Sequence, residues 1–295
     1  MRITGLVMVV AGLLLSGAKA AEKPLRIVST FLPGYCIAAN VAGDLAQVEN
    51  LLPGTVSLHD YQLTPADLRK IASADVIVVN GLGMESFLDK AIANTGPETA
   101  GKIVRLSDGI EGELIRDNGV FNPHIWLDPR LAMLGVSNVV KKLQTRDSGH
   151  GQQYEKNAGS YLERLRALDA SIEKTLEPVR DVSFVTYHNA FPYFVRRYGL
   201  KLAGVVERVP EVGPSPKEMS QLLETIRERK AHAIFTEPAE GTRLARQIAS
   251  DTNMKVAELD PLETGQLEPR GYEEGLRRNA QALRKILGAW GTAPR

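Results

Sequence analysis

Cysteine is almost missing from this chain: Cys36 stands alone among 295 residues. An intramolecular disulfide and any paired-thiol redox motif are thereby excluded. Cys36 also lies too far along the chain to carry a lipid anchor, and it reads as a small buried thiol. Long hydrophobic runs are lacking too. Beyond the first 20 residues no stretch approaches the roughly 18 uninterrupted apolar residues that a membrane-spanning helix needs. Charge of one sign is equally absent, with 36 basic against 35 acidic side chains. That balance gives no reason to expect nucleic acid or an anionic membrane as partner.

What is present begins with a targeting segment. Residues 1–20, MRITGLVMVVAGLLLSGAKA, join an early Arg2, a short apolar run and the small-residue site Ala18-Lys19-Ala20. This is the pattern of a secretory signal peptide cleaved after Ala20. The mature chain is therefore expected to be exported, and losing Arg2 and Lys19 leaves 34 basic against 35 acidic groups. Its roughly 275 residues can fill one large domain or two ordinary ones.

The hydrophobic pattern favours two. Short runs rich in β-branched residues recur at 26–28 (RIV), 76–79 (VIVV), 183–186 (SFVT), 233–235 (AIF) and 255–257 (KVA), with amphipathic helical stretches between them. Alternation of that kind predicts βαβ units and mainly parallel sheets, an α/β fold. Thr64-Pro65-Ala66-Asp67 and Ser215-Pro216-Lys217-Glu218 share one helix-start grammar, a hydroxyl cap, a proline and an acid that caps back. Each precedes a helix and then an apolar strand, which suggests two related halves. Between them Tyr154, Ala158, Tyr161, Leu165, Leu168 and Ile172 step by four and three, the stripe of one long helix. A helix is a stiff strut where a glycine-serine linker would be a loose one. The expected division is an N-terminal lobe at 21–148, a linking helix at 149–178 and a C-terminal lobe at 179–295.

In parallel α/β sheets ligands settle beyond the carboxyl ends of the strands. His188, Glu237 and Asp260 directly follow predicted strands of the second half. From the first half come His59, just ahead of the Thr64 helix start, and His124 in NPHIWLDP at 122–129. In that segment Asp128 and Pro129 fit the cap and first position of the next helix, so the loop holding His124 is fixed to a helix end. Asp128 is thus read as a cap, Trp126 as a core aromatic, and His150 and His232 as surface residues. Glu237 is a candidate to orient a ligand.

These segments together resemble one family. STFLPGYCIAANVAGD, HDYQLTPADL, ADVIVVNGLGMESFL, NPHIWLDP, YHNAFPYFVRRYGL, IFTEP and ELDPL, in this order, are similar to the TroA-like (cluster A-I) solute-binding receptors of zinc and manganese ABC importers. The resemblance covers essentially the whole mature chain. It implies two βα lobes joined by one rigid helix, with a metal site in the cleft between them formed by His59, His124, His188 and Asp260. It also implies a periplasmic monomer that serves a membrane permease of an ABC importer, with a periplasmic metallochaperone as a further candidate partner. Three imidazoles and one carboxylate suit zinc, whereas manganese favours oxygen-rich sets, so Zn2+ is the expected cargo and Mn2+ the alternative. Many zinc members carry a histidine-rich loop between the first two ligand motifs, and SDGIEGELIRDNGVF at 107–121 has no histidine.

Two other readings stay open at this point. A zinc hydrolase could use the three histidines with Glu237 as base, although the chain has no HExxH segment. A receptor for haem or an iron chelate would need an aromatic or arginine-lined cleft, and no such cluster is evident.

Overall fold

The computed structural model describes residues 23–56, 61–88, 92, 97–117, 119–207, 212–238 and 242–291. Strands β1 (Leu25–Ser29), β2 (Ala46–Asn50), β3 (Val76–Val79) and β4 (Ile103–Arg105) form one sheet in the order β2-β1-β3-β4, every pairing parallel. The connections carry helices α1 (Leu32–Ala42), α2 (Pro65–Ser73) and the short α3 (Pro97–Ala100). A small antiparallel hairpin of β5 (Arg116–Asp117) and β6 (Val120–Phe121) follows. Next come α4 (Pro129–Arg146) and the 26-residue α5 (Gly151–Leu176). The second sheet, in the order β10-β9-β7-β8 and again parallel, holds β7 (Ser183–His188), β8 (Lys201–Glu207), β9 (Ala233–Thr236) and β10 (Lys255–Glu258). Helices α6 (Pro192–Tyr198), α7 (Pro216–Glu228), α8 (Thr242–Thr252) and α9 (Gly271–Leu287) complete it.

The α/β architecture with two parallel sheets and a long helix is as the sequence predicts. All five apolar runs fall in strands. The strands it does not reveal are β2, β4 and β8, at sheet edges, and the hairpin pair β5 and β6. Edge strands are not buried on both faces and so need no continuous run of Ile and Val.

Helix α5 buries the expected stripe and, at 1.5 Å per residue, runs about 39 Å. The apolar core is continuous from the first sheet through α1 and α5 to α9 and the Phe184–Phe235 face of the second sheet. A smaller core, including Val185, Ile226, Ile234 and Ile248, fills the other face. Because α9 returns from the second half to pack on both α5 and α1, the lobes share buried surface. Wide opening would expose that surface to water, which costs roughly 25 cal/mol per Å2.

Both predicted caps form. Thr64 and Ser215 each accept from the backbone N–H three residues on and donate their own backbone N–H to that residue's carboxylate. The Thr64 cap opens α2, which packs on β1 of the first sheet. Although burial raises the Asp67 carboxyl, hydrogen bonds from Thr64 and Tyr61 bring its pKa below the ordinary value. Replacing Thr64 with Ala should cost about 1 kcal/mol in urea denaturation at neutral pH. A carboxylate with a depressed folded pKa stabilises above its unfolded value near 3.9 and loses that contribution as pH falls through the folded one. The gap between variant and wild type should therefore narrow below about pH 4.

Candidate metal centre

Asn80 follows β3 of the first sheet and His188 ends β7 of the second, and the segment at 122–129 is bonded to residues next to both strands. Its register is fixed by buried bonds. Trp126 donates its indole N–H to the Pro261 carbonyl at 2.7 Å, and Tyr272 donates to the Trp126 carbonyl at 2.6 Å. Tyr193 donates to the Asn122 carbonyl, and the Asn122 amide donates to the Asn189 carbonyl. From behind, Asn80 donates its side-chain amide to the Pro123 carbonyl. Asn80 is itself held by buried Glu85, which also receives the Thr30 hydroxyl.

His124 is thus seated firmly, 2% exposed, with its ring 4.9 Å from that of His188. Asn122 Oδ1 accepts both the His124 backbone N–H and ring Nδ1, each at 3.0 Å. The shared backbone donor identifies that atom as the amide oxygen, so Nδ1 carries a proton and Nε2 is the nitrogen left for a ligand. His188, at the end of β7, is placed the same way, with Nδ1 donating to Glu237 Oε1 at 2.6 Å. Each of the two neighbouring imidazoles therefore has Nδ1 bonded to an acceptor, which leaves Nε2 as its nitrogen for a ligand. Outer acceptors commonly hold metal-binding histidines in this manner.

The third member is Glu263, 7% exposed, with Oε1 at 3.2 Å from His124 Nε2. One donor atom each from His124, His188 and Glu263 lies within 4.8 Å of the others, the cation-sized cluster found among the described residues. Asp260 is not one of the three. It stands nearby, its Oδ1 accepting from the Leu262 N–H at 2.8 Å and its backbone held by Asn279 through bonds of 2.9 and 2.6 Å. Burial raises the Asp260 pKa, and the neighbouring Glu237 and Glu263 raise it further. Carboxylates gathered out of water in this way are relieved by a cation. The donor chemistry, imidazole nitrogen and carboxylate oxygen, fits a divalent metal ion.

His59 lies outside the described residues. The loop that leads towards it is anchored, for Gly54 accepts from the Gly265 N–H at 2.7 Å. A Cβ on Gly54 would meet the Gly265 carbonyl at 2.0 Å, so only glycine permits this approach of the first lobe to the loop carrying Asp260 and Glu263. Asp128 caps α4 through the Arg130 N–H, as expected of it. Trp126 is core, and His150 is an exposed partner of Asp147. His232 instead stacks on Trp290 at 4.6 Å. Glu263 was not foreseen. The only signal was an acid three residues after Asp260 in DPLE, a spacing at which a turn can return a side chain to the same place.

Two parallel α/β lobes closing on a buried imidazole and carboxylate cluster define a solute-binding receptor for a metal cation. Residues 27–286 match the family described as ZnuA: Zinc-uptake complex component A periplasmic, and the chain belongs to that family. By family and fold it is a metal-binding receptor of a zinc-uptake system. Among relatives it is 32% identical over 235 residues to "Iron-binding protein YfeA" of Yersinia pestis, 78% of this chain and 75% of that one. It is 29% identical over 286 residues to "High-affinity zinc uptake system protein ZnuA" of Bacillus subtilis, 92% of this chain and 90% of that one. The fold superposes with a TM-score of 0.82 on the SBP FpvC of Pseudomonas aeruginosa in complex with Mn2+, at 28% identity, covering 91% of this chain and all of the other.

Proposed function

We propose that the chain captures Zn2+ in the cleft between lobes at 21–148 and 179–295, joined by the linking helix at 149–178. His59, His124, His188 and Asp260 are the ligands, and Glu237 orients His188. The receptor then hands the ion to the membrane permease of an ABC importer. It works as a periplasmic monomer, after removal of the first 20 residues, and does not turn over a substrate. A periplasmic metallochaperone is a further candidate partner.

One observation carries this reading: Nδ1 of both His124 and His188 is committed to an acceptor, and one donor atom of each ring gathers with Glu263 within 4.8 Å. Three nitrogens and one oxygen at about 2.0–2.2 Å make a closed tetrahedral zinc site. A closed site leaves no position for an activated water, which counts against a hydrolase. The name of the Bacillus subtilis relative agrees with zinc. Mn2+ is the second reading, favoured by the carboxylates of Glu237, Asp260 and Glu263 around the site and by the ion in the Pseudomonas aeruginosa neighbour.

The test is a titration of the chelator-stripped protein with Zn2+ and Mn2+ against a competing indicator, alongside thermal unfolding. Zinc at about 1,000 times its Kd should add about 4 kcal/mol to stability. For a chain of this size that is a rise in Tm on the order of 10 °C. An unmoved transition in saturating zinc overturns the zinc reading. If Mn2+ alone moves it, the cargo is manganese.

A further inference from the structure

We propose that Glu263 is itself a ligand of the bound metal and sets how far the site discriminates between Zn2+ and Mn2+. This deepens the receptor reading above and rests on it. The first support is distance. Two donors on one ion with bonds of about 2.0–2.2 Å stand roughly 2.8–3.6 Å apart, from octahedral to tetrahedral geometry. Glu263 Oε1 and His124 Nε2 are 3.2 Å apart, within that window.

The second support is the company Glu263 keeps. Its Oε1 holds His124 Nε2, a contact that a proton on that nitrogen or a cation between the two can make, and a divalent cation displaces such a proton when it binds. One donor atom of His188 lies within 4.8 Å of both, so a cation held there takes in all three side chains.

The third support is the turn that delivers the side chain. Asn279 pins the Asp260 backbone from α9, and Trp126 holds the Pro261 carbonyl from the first lobe. Leu262 has φ of 63°, the left-handed region that leucine seldom occupies. It is held there by packing, fully buried against Gly275, where a Cβ would meet the Leu262 side chain at 2.2 Å. Backbone strain of this kind persists only where its surroundings over-determine it, and it gathers at ligand sites. Here it stands one residue before Glu263, whose carboxylate reaches His124. With Asp260 three residues earlier, one loop offers two oxygens. An added oxygen moves the donor set towards the preference of manganese and weakens discrimination for zinc.

The experiment compares wild type, Glu263→Gln and His188→Ala in competition titrations with Zn2+ and Mn2+. The absorption spectrum of the Co2+ form, which reports coordination number and donor set, accompanies them. Glu263→Gln keeps the shape and removes the charge, and urea denaturation of the stripped protein checks that it folds. Zinc affinity should fall beyond the roughly 10–100-fold that loss of an outer partner causes. Manganese affinity should fall by a larger factor, and the Co2+ spectrum should change. Wild-type affinities with an unchanged spectrum in Glu263→Gln, while His188→Ala loses zinc, overturn the role of Glu263 and leave the receptor reading standing. Equal losses for the two metals overturn its part in selectivity. Wild-type protein that binds neither metal overturns the receptor reading and this inference together.

Discussion

Alanine at position 188 should weaken zinc binding by roughly 100- to 1,000-fold. Structural zinc sites gain about 10–16 kcal/mol, so one of four ligands carries on the order of 3 kcal/mol, and each 1.4 kcal/mol is tenfold in affinity. His188 ends a central strand, is 9% exposed, and packs its ring edge-on to His124. Its loss removes one inward nitrogen and leaves the Glu237 carboxylate without the ring N–H that it accepts at 2.6 Å. Glu237→Ala should act more weakly, by about 10–100-fold, because it frees the orientation and tautomer of His188 but leaves the nitrogen in place. The ordering matters as much as the sizes. Competition titration should rank wild type, Glu237→Ala and His188→Ala in that sequence, and zinc should raise the Tm of His188→Ala far less than that of wild type. If His188→Ala binds zinc within tenfold of wild type, the imidazole is not a ligand.

The fold was largely legible in the sequence, and the reason is burial. Central strands such as VIVV at 76–79 lie between layers and must be apolar throughout, so they announce themselves. The stripe of α5 from Tyr154 to Ile172 is equally plain because one face of a long helix is core. Edge strands such as β2, with Gln47 and Glu49 in its five residues, carry no such mark.

Of the candidate site, the sequence points to His188 at a strand end and His124 beside a helix cap, and the two stand together. The rest was obscured where backbone geometry decides. Nothing in DPLE states that Leu262 takes a left-handed conformation or that Glu263 comes within 3.2 Å of His124 Nε2. The outward partners were half visible: Glu237 was read as an orienting acid, whereas Asn122 went unread although it sits two residues from His124. Its role depends on one oxygen serving both a backbone and a ring donor, a fact of conformation.

The other large effect lies far from the metal donors, at Asp169. This carboxylate interrupts the apolar stripe of α5 and is buried among helices from three parts of the chain. It receives Arg197 and Tyr198 from the end of α6 and Arg130 from the first turn of α4. Arg130 is 65% exposed, so that pair contributes under about 1 kcal/mol. Arg197 is different: its side chain is 11% exposed, and although burial opposes its charge, the bond to Asp169 raises its pKa above the ordinary arginine value. Asp169→Ala would leave that guanidinium charged, buried and without its partner, and would strip the Tyr198 hydroxyl of its acceptor. Removing one side of a buried ion pair costs about 3–5 kcal/mol. Urea denaturation should show a lower midpoint with an unchanged slope, the sign of a weaker native state and an ordinary unfolded one. Since α4 begins directly after the loop that carries His124, some loss of zinc affinity should follow, smaller than in His188→Ala. A stability loss below about 1 kcal/mol would mean that water reaches Arg197 and that the junction of α4, α5 and α6 is looser than its buried contacts indicate.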